Sequence, residues 1–425
     1  FSQKCFSSDQ GPSLMTTQTE IAAGSFRLSM LISDTRYRSY TFQLVAMVLL
    51  FGSVGYLISN LIFNLETAGL SISYEFLGEP AGYDINQRLI EYNSQSSHWR
   101  ASVVGVLNTL LVAVVGCFFA TIFGVIAGVL RLSNNWIVAK IMAAYVEIFR
   151  NVPVLIWILI INAIFLVSLP QPKAFKSRGG NPPEAEMFLD AFAFTGRGIY
   201  MPKPVLQGGG LLVVAVFFLS IIAMFLYRRH ARNLLYSQGK DLPTFWPSVG
   251  ILFAPSIILY ALMAFTGELP IVLEYPALKG FNFKGGIWAR GSFVALTFAL
   301  AIYTGAFIAE NVRAGILAIS KGQTEAAASL GIRPNRIMSL VILPQALRVI
   351  IPPMISNYLN LTKNSSLAIA VGYMDITGTL GGITLNQTGR AIEAILLLMA
   401  FYLFISLSIS AIMNVYNKSV AIKER

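Results

Sequence analysis

The chain has 425 residues, 55% hydrophobic and 12% charged, with a mean hydropathy of +0.66. That is about half the charge of a soluble domain, and apolar runs of about 20 residues make lipid its main solvent. Two cysteines (Cys5, Cys117) and two histidines (His98, His230) supply neither a disulfide framework nor a metal cluster. The net charge of +11 needs no nucleic acid if the basic residues gather on one membrane face.

Residues 1–41 are polar, lack an apolar signal core and read as a cytoplasmic tail. Met15 is the expected natural start, with Phe1 to Leu14 lying upstream of it. Eight apolar segments follow, at about 42–63, 104–130, 141–169, 211–227, 249–266, 292–312, 339–361 and 393–416. Helices are expected, since the runs are too long for barrel strands and show no period-two alternation. The fifth is the weakest, because Pro255 interrupts it. Two outer loops, about 64–103 and 170–210, are rich in acidic residues or proline and read as surface loops rather than folded domains.

Eight spans put both ends on one side. With that side cytoplasmic, 19 of the 31 basic residues and about 8 of the 20 acidic residues lie inside. The whole basic excess then falls on the inner face, which supports both termini being cytoplasmic.

Between the sixth and seventh segments, Ser320 to Pro344 reads SKGQTEAAASLGIRPNRIMSLVILP. Glu325 to Ala328 with Leu330 favours a short helix, Gly331 permits a sharp turn, and Pro334 suits the first turn of a second helix. A helix–Gly–helix elbow on the basic side of the membrane is predicted.

Glu325-Ala326-Ala327, three residues, Gly331, nine residues, then Val341 and Leu343-Pro344 closely resembles the EAA coupling loop of bacterial ABC importer permeases. Val341 stands where isoleucine is usual. The resemblance sharpens to polar amino-acid importers on four further segments. These are Gly105 to Leu110 (GVLNTL), Tyr145 to Pro153 (YVEIFRNVP), Tyr303 to Ile316 (YTGAFIAENVRAGI) and Leu361 to Ala368 (LTKNSSLA), the last with Asn364 in place of the usual Asp. The long chain resembles the larger permease of general L-amino-acid importers, the kind serving glutamate, glutamine and aspartate. The resemblance implies an all-α integral membrane protein with about eight transmembrane helices, five of them a type I ABC importer permease core. That core lies at 104–169 and 291–416, with the coupling loop at 320–344. An extra helix and loop at 42–103, a two-helix insertion at 170–290 and a tail at 417–425 complete the chain. It also implies a second permease in a heterodimer, two ATPase subunits and a periplasmic amino-acid-binding protein. In such a complex Glu325, Ala326, Ala327, Gly331, Arg333 and Pro344 meet the ATPase.

No GxxxxGK[ST] run occurs, so ATP and Mg²⁺ are expected on the separate ATPase; this chain itself is neither an enzyme nor a holder of cofactor or metal. A zwitterion crossing lipid needs partners for both charges. Pro344, Pro352 and Pro353 suggest a broken helix, with Asn357, Asn360, Asn364, Ser365 and Ser366 offering oxygens and amides at its outer end. Glu147, Arg150, Glu310 and Arg313 fall near inner helix ends, as gate groups or as structural ion pairs; Glu310 and Arg313 share a helix face. The main alternative is an ion-coupled secondary transporter, which predicts inverted repeats and mid-span ionisable groups; the sequence shows no repeat and few such groups. A receptor-like membrane subunit would not need the elbow.

Overall fold

A computed structural model describes residues 30–33, 35–69, 71–177, 182–240, 242–267 and 269–420. The reading of Met15 as the start, most of the tail at 1–41 and the final residues of the 417–425 tail lie outside these. The chain divides into two compact units, Phe1–Ile72 and Ser73–Arg425. The first holds α1 (Met30–Ser33) and α2 (Thr35–Thr67), a single apolar helix long enough to cross a bilayer.

In the second unit a short 3₁₀ turn (Glu75–Gly78) precedes α3 (His98–Leu130), which Ser97 caps by accepting from the Arg100 N–H. Then come α4 (Trp136–Asn151) and α5 (Val154–Ser168). The expected single span at 141–169 is therefore two helices. Val152 is extended and Pro153 restarts the chain, because the residue before a proline is pushed out of the helical region. Strands β1 (Ala193–Thr195), β2 (Gly198–Met201) and β3 (Lys203–Leu206) follow, then the α6 (Gly210–Gln238) and α7 (Phe245–Phe265) hairpin. Pro255 sits inside α7 without ending it. Four more strands, β4 (Ile271–Glu274), β5 (Ala277–Lys279), β6 (Asn282–Lys284) and β7 (Ile287–Arg290), lead directly into α8 (Gly291–Leu317). The elbow comprises α9 (Lys321–Ser329) and α10 (Pro334–Ile337). A π-helical turn (Met338–Ile342) joins it to α11 (Leu343–Asn364) and a 3₁₀ stretch (Ser365–Val371). The chain closes with α12 (Ile376–Gly378), a second π turn (Thr379–Thr384), α13 (Leu385–Thr388) and α14 (Ala391–Val420).

Among the described residues eight helical segments are long and apolar enough to cross a membrane, as the sequence predicts. The core centres on α3 against α8, with α4, α5 and α11 packed around α8 and α14 against α11. The α3–α8 approach is close at two glycines. A Cβ on Gly124 would lie 2.5 Å from Ile308 Cβ, and one on Gly128 would lie 2.7 Å from the Ala309 carbonyl oxygen. Without an apolar drive between helices in lipid, small residues that let backbones meet supply the packing. Val112, Ala120, Ile158, Leu296, Leu300, Ile308 and Ile350 form the buried centre.

Both long loops, expected at 64–103 and 170–210, depart from the expectation of plain surface loops. Residues 73–97 bury Ala81, Ile85 and Tyr92 against Ala101 and Val104 of α3. The insertion forms an antiparallel sheet β1-β2-β7 and the pairs β3-β4 and β5-β6. Ala193, Tyr200 and Phe283 make its own small core, in which the Tyr200 ring stacks on Trp288 at 5.4 Å and the Tyr200 hydroxyl donates to Asn282 Oδ1. Aromatic residues there gain more by burial than the proline-rich composition suggests. The helix expected to break between Pro344 and Ser366 is also continuous. α11 runs through Pro352 and Pro353, and the change of geometry comes only at Ser365. Membrane helices tolerate prolines where neighbours re-satisfy the freed carbonyls.

Candidate functional site

The elbow has the predicted form. At the end of α9, Gly331 is left-handed (φ +73°), its N–H donates to the Ala328 carbonyl at 2.9 Å, and the Ile332 N–H donates to the Ala327 carbonyl at 3.4 Å. This pair of bonds is a Schellman closure, and the left-handed position explains the glycine. Arg333 is extended and Pro334 starts α10, where its missing N–H costs nothing. Ala327 and Ile337 are buried. Glu325, Ala326, Arg333 and Pro344 are exposed, and Leu330 presents 79% of its surface at the tip. The motif alone does not single out this exposed apolar side chain.

A second cluster ties three helix ends together. Arg313 holds Glu310 through Nη2 to Oε1 (2.6 Å) and Nε to Oε2 (3.2 Å), the pair expected from their spacing. Arg131, the C-cap of α3, also donates to Glu310 and lies 3.8 Å from Glu147 of α4. Arg150 takes a different partner, with its guanidinium 5.3 Å from the centroid of the Phe307 ring. Arg131 is the keystone that sequence spacing does not reveal.

A cavity of about 330 Å³ opens between α8 and α11, lined by Tyr303, Thr304, Phe307, Asn357, Asn360, Lys363 and Asn364. Three of the five proposed pathway residues thus meet there. Ser365 and Ser366 do not line it, and Ser365 is buried with its hydroxyl donating to the Thr362 carbonyl at 2.7 Å. The Asn357 amide nitrogen is buried with no hydrogen-bond partner among the described residues. An unpaired donor in a cavity wall is costly unless something else accepts from it. Lys363 adds a cation, so the cavity offers one positive charge and several neutral donors and acceptors, a set suited to a carboxylate.

Beside the core, Asp375 is fully buried and caps α12, its Oδ1 accepting from the Gly378 N–H at 2.8 Å. Burial pushes its carboxyl up to about 6, against the opposing pull of that N–H. Asn108 of α3 donates to the carbonyls of Gln87 (2.7 Å) and Met374 (2.8 Å), locking the loop before α3 to this segment. Among the described residues no three His, Cys, Asp or Glu side chains are placed to hold a metal ion.

Residues 242–422 match the family described as binding-protein-dependent transport system inner membrane component. Across nearly its full length the chain is similar to three permeases. It is 51% identical to the glutamate/glutamine/aspartate/asparagine transport system permease protein BztB of Rhodobacter capsulatus, covering 97% of this chain and 100% of that protein. It is 40% identical to the general L-amino acid transport system permease protein AapQ of Rhizobium johnstonii, covering 96% and 98%. It is 41% identical to the putative amino-acid ABC transporter permease protein YhdX of Escherichia coli, covering 93% and 98%.

Proposed function

We propose that this chain, which belongs to the family of amino-acid ABC transport permeases and is a multi-pass inner-membrane protein, passes L-amino acids inward as one half of a heterodimeric permease. A periplasmic binding protein delivers the amino acid, and two ATPase subunits supply the work, using ATP and Mg²⁺. The ATPase is a separate subunit; this chain has no phosphate-binding loop of its own.

The elbow and both termini face the cytoplasm in this reading, supported by the basic excess on that side. Glu325, Ala326, Leu330 and Arg333 dock in a cleft of the ATPase, where the Glu325 carboxylate pairs with a basic group. Gly331 sets the angle between the docked helix and the bundle. Ion pairing of Arg131, Glu147, Glu310 and Arg313 holds the inner ends of α3, α4 and α8 as one body. Asn357, Asn360, Asn364 and Lys363 face the passing amino acid, with Lys363 and the free Asn357 amide meeting a carboxylate.

One observation carries the reading: α8 and α11, the helices that line the cavity, are the two that the elbow connects. A push on the elbow therefore acts on both cavity walls, and ATPase closure biases two cavity shapes differently. The test is uptake of labelled glutamate by the reconstituted complex, with binding protein outside the vesicles and ATP inside. Uptake should require internal ATP and survive collapse of ion gradients. Uptake driven by an ion gradient without ATP would overturn the proposal.

A further inference from the structure

We propose that the α6–α7 hairpin carries a binding site for the phosphate headgroups of anionic phospholipids, on the same side of the membrane as the elbow. The apolar part of α6 ends at Tyr227, yet the helix continues to Gln238 through Arg228-Arg229-His230-Ala231-Arg232. Three arginines within five residues crowd one stretch of helix: Arg228 and Arg232 are four apart, and Arg229 and Arg232 three apart. Like charges at these spacings destabilise a helix unless an anion intervenes. Among the described residues from Gly210 to Gly267 there is no Asp or Glu, and none of the three arginines meets a carboxylate there.

The cluster is organised as well as charged. Arg228 Nε donates to the buried Ser248 Oγ of α7 at 3.1 Å, which fixes the plane of the guanidinium while its terminal amines remain open. The Tyr227 hydroxyl donates to the Pro243 carbonyl at 2.9 Å, pinning the loop that brings α7 alongside. Arg232 is exposed on the same face of α6 as Arg228. A planar, pre-oriented guanidinium beside a second one suits the paired oxygens of a phosphodiester. Tyr236, Phe245 and Trp246 are all exposed at this end of the hairpin, and such aromatics sit at headgroup depth. Orientation of the spans uses only the charge, whereas the Ser248 contact holds the guanidinium plane in place beside the exposed aromatics, the arrangement a lipid headgroup needs.

The full chain is reconstituted in nanodiscs holding equal phosphatidylglycerol and phosphatidylcholine, released into mild detergent, and its retained lipids are counted by native mass spectrometry. The wild-type chain should keep phosphatidylglycerol in preference to phosphatidylcholine. The R228Q/R229Q/R232Q variant should lower that preference roughly five-fold or more, about one basic residue's worth or above. Ser248→Ala, which leaves every charge and the span orientation in place, should lower it as well. Equal retention of the two lipids by the wild-type chain overturns the proposal, as does an unchanged preference in both variants. Release of the lipid by millimolar inorganic phosphate would assign the site to a free anion. Crosslinking of Arg232→Cys to the ATPase in the assembled complex would assign it to a protein; either result also overturns the lipid site.

Discussion

The guanidinium of Arg150 lies 5.3 Å from the centroid of the Phe307 ring. Phe307 also lines the α8–α11 cavity, and Glu310 follows one helical turn later. One aromatic ring thus meets both the carboxylate-suited cavity and the Arg150 guanidinium. A cation over a ring at such a site contributes about 0.5–1 kcal/mol. Phe307→Leu should lower ATP-dependent uptake several-fold while leaving the chain inserted, and Phe307→Tyr should retain it. Equal uptake by the Leu variant would remove Phe307 from the pathway.

Glu310 is the shared acceptor of Arg131 and Arg313. Glu310→Gln leaves two guanidiniums without their anion, and breaking a half-buried pair from one side, partly screened by solvent, costs about 1–2 kcal/mol. The purified variant should melt at a clearly lower temperature. Glu147, whose side chain is 67% exposed, contributes far less, so Glu147→Gln should melt close to wild type.

Gly331 occupies a left-handed position with open space around it, so a larger residue suffers from its backbone and not from a clash. Gly331→Val should destabilise the turn by about 1–2 kcal/mol and let ATP hydrolysis proceed without uptake. Asn adopts this conformation readily. Gly331→Asn should therefore restore coupling, measured as amino acid carried per ATP hydrolysed. Failure of Asn to rescue would mean that the side chain, rather than the angle, matters.

Lys363 supplies the positive charge of the cavity. Lys363→Met should raise the substrate concentration needed for half-maximal uptake of an acidic amino acid. Asn357→Ala, which removes the free amide, should act in the same direction. The ATPase rate without substrate should change little in either variant.

Burial disfavours the charged form of Asp375 and pushes its carboxyl up to about 6, above the ordinary 3.8. With the folded value raised, its contribution to stability is fully present below about pH 4 and is lost as pH rises through about 6. Asp375→Asn keeps an acceptor for the Gly378 N–H and cannot ionise. The variant should match the wild type in melting temperature at pH 4 and exceed it at pH 8. A constant difference across that range would show that the carboxyl does not titrate in the folded chain.

The elbow was legible in the sequence because its needs are local: alanines that favour the first helix, a left-handed Gly331 and a Pro334 that needs no donor. The Glu310–Arg313 pair was legible for the same reason, being three residues apart. Arg131 reaches Glu310 across 179 residues, and no spacing rule connects them. The strands of the insertion are three or four residues long, too short to establish alternation, and their core joins Ala193 and Tyr200 to Phe283 far along the chain. Prolines misled in the other direction. Pro255, Pro352 and Pro353 mark breaks in water-soluble helices, whereas α7 and α11 carry them within continuous helices. The Lys363 cation was visible only once α11 proved unbroken and turned one face towards α8.

The pairing of α3 with α8 has a consequence for biosynthesis. Residues 131–290 are made between them, so the groove beside Gly124 and Gly128 waits without its α8 partner until that helix emerges. The groove is shaped by absent side chains rather than by polar ones, so the wait leaves no buried donor or acceptor stranded. β7 then joins β2, the Gly291 N–H bonds the Arg197 carbonyl, and α8 starts at that same glycine. The last strand of this sheet thus fixes the point at which the late helix begins, and lengthening the Arg290–Gly291 junction by inserted residues should slow assembly before it affects transport.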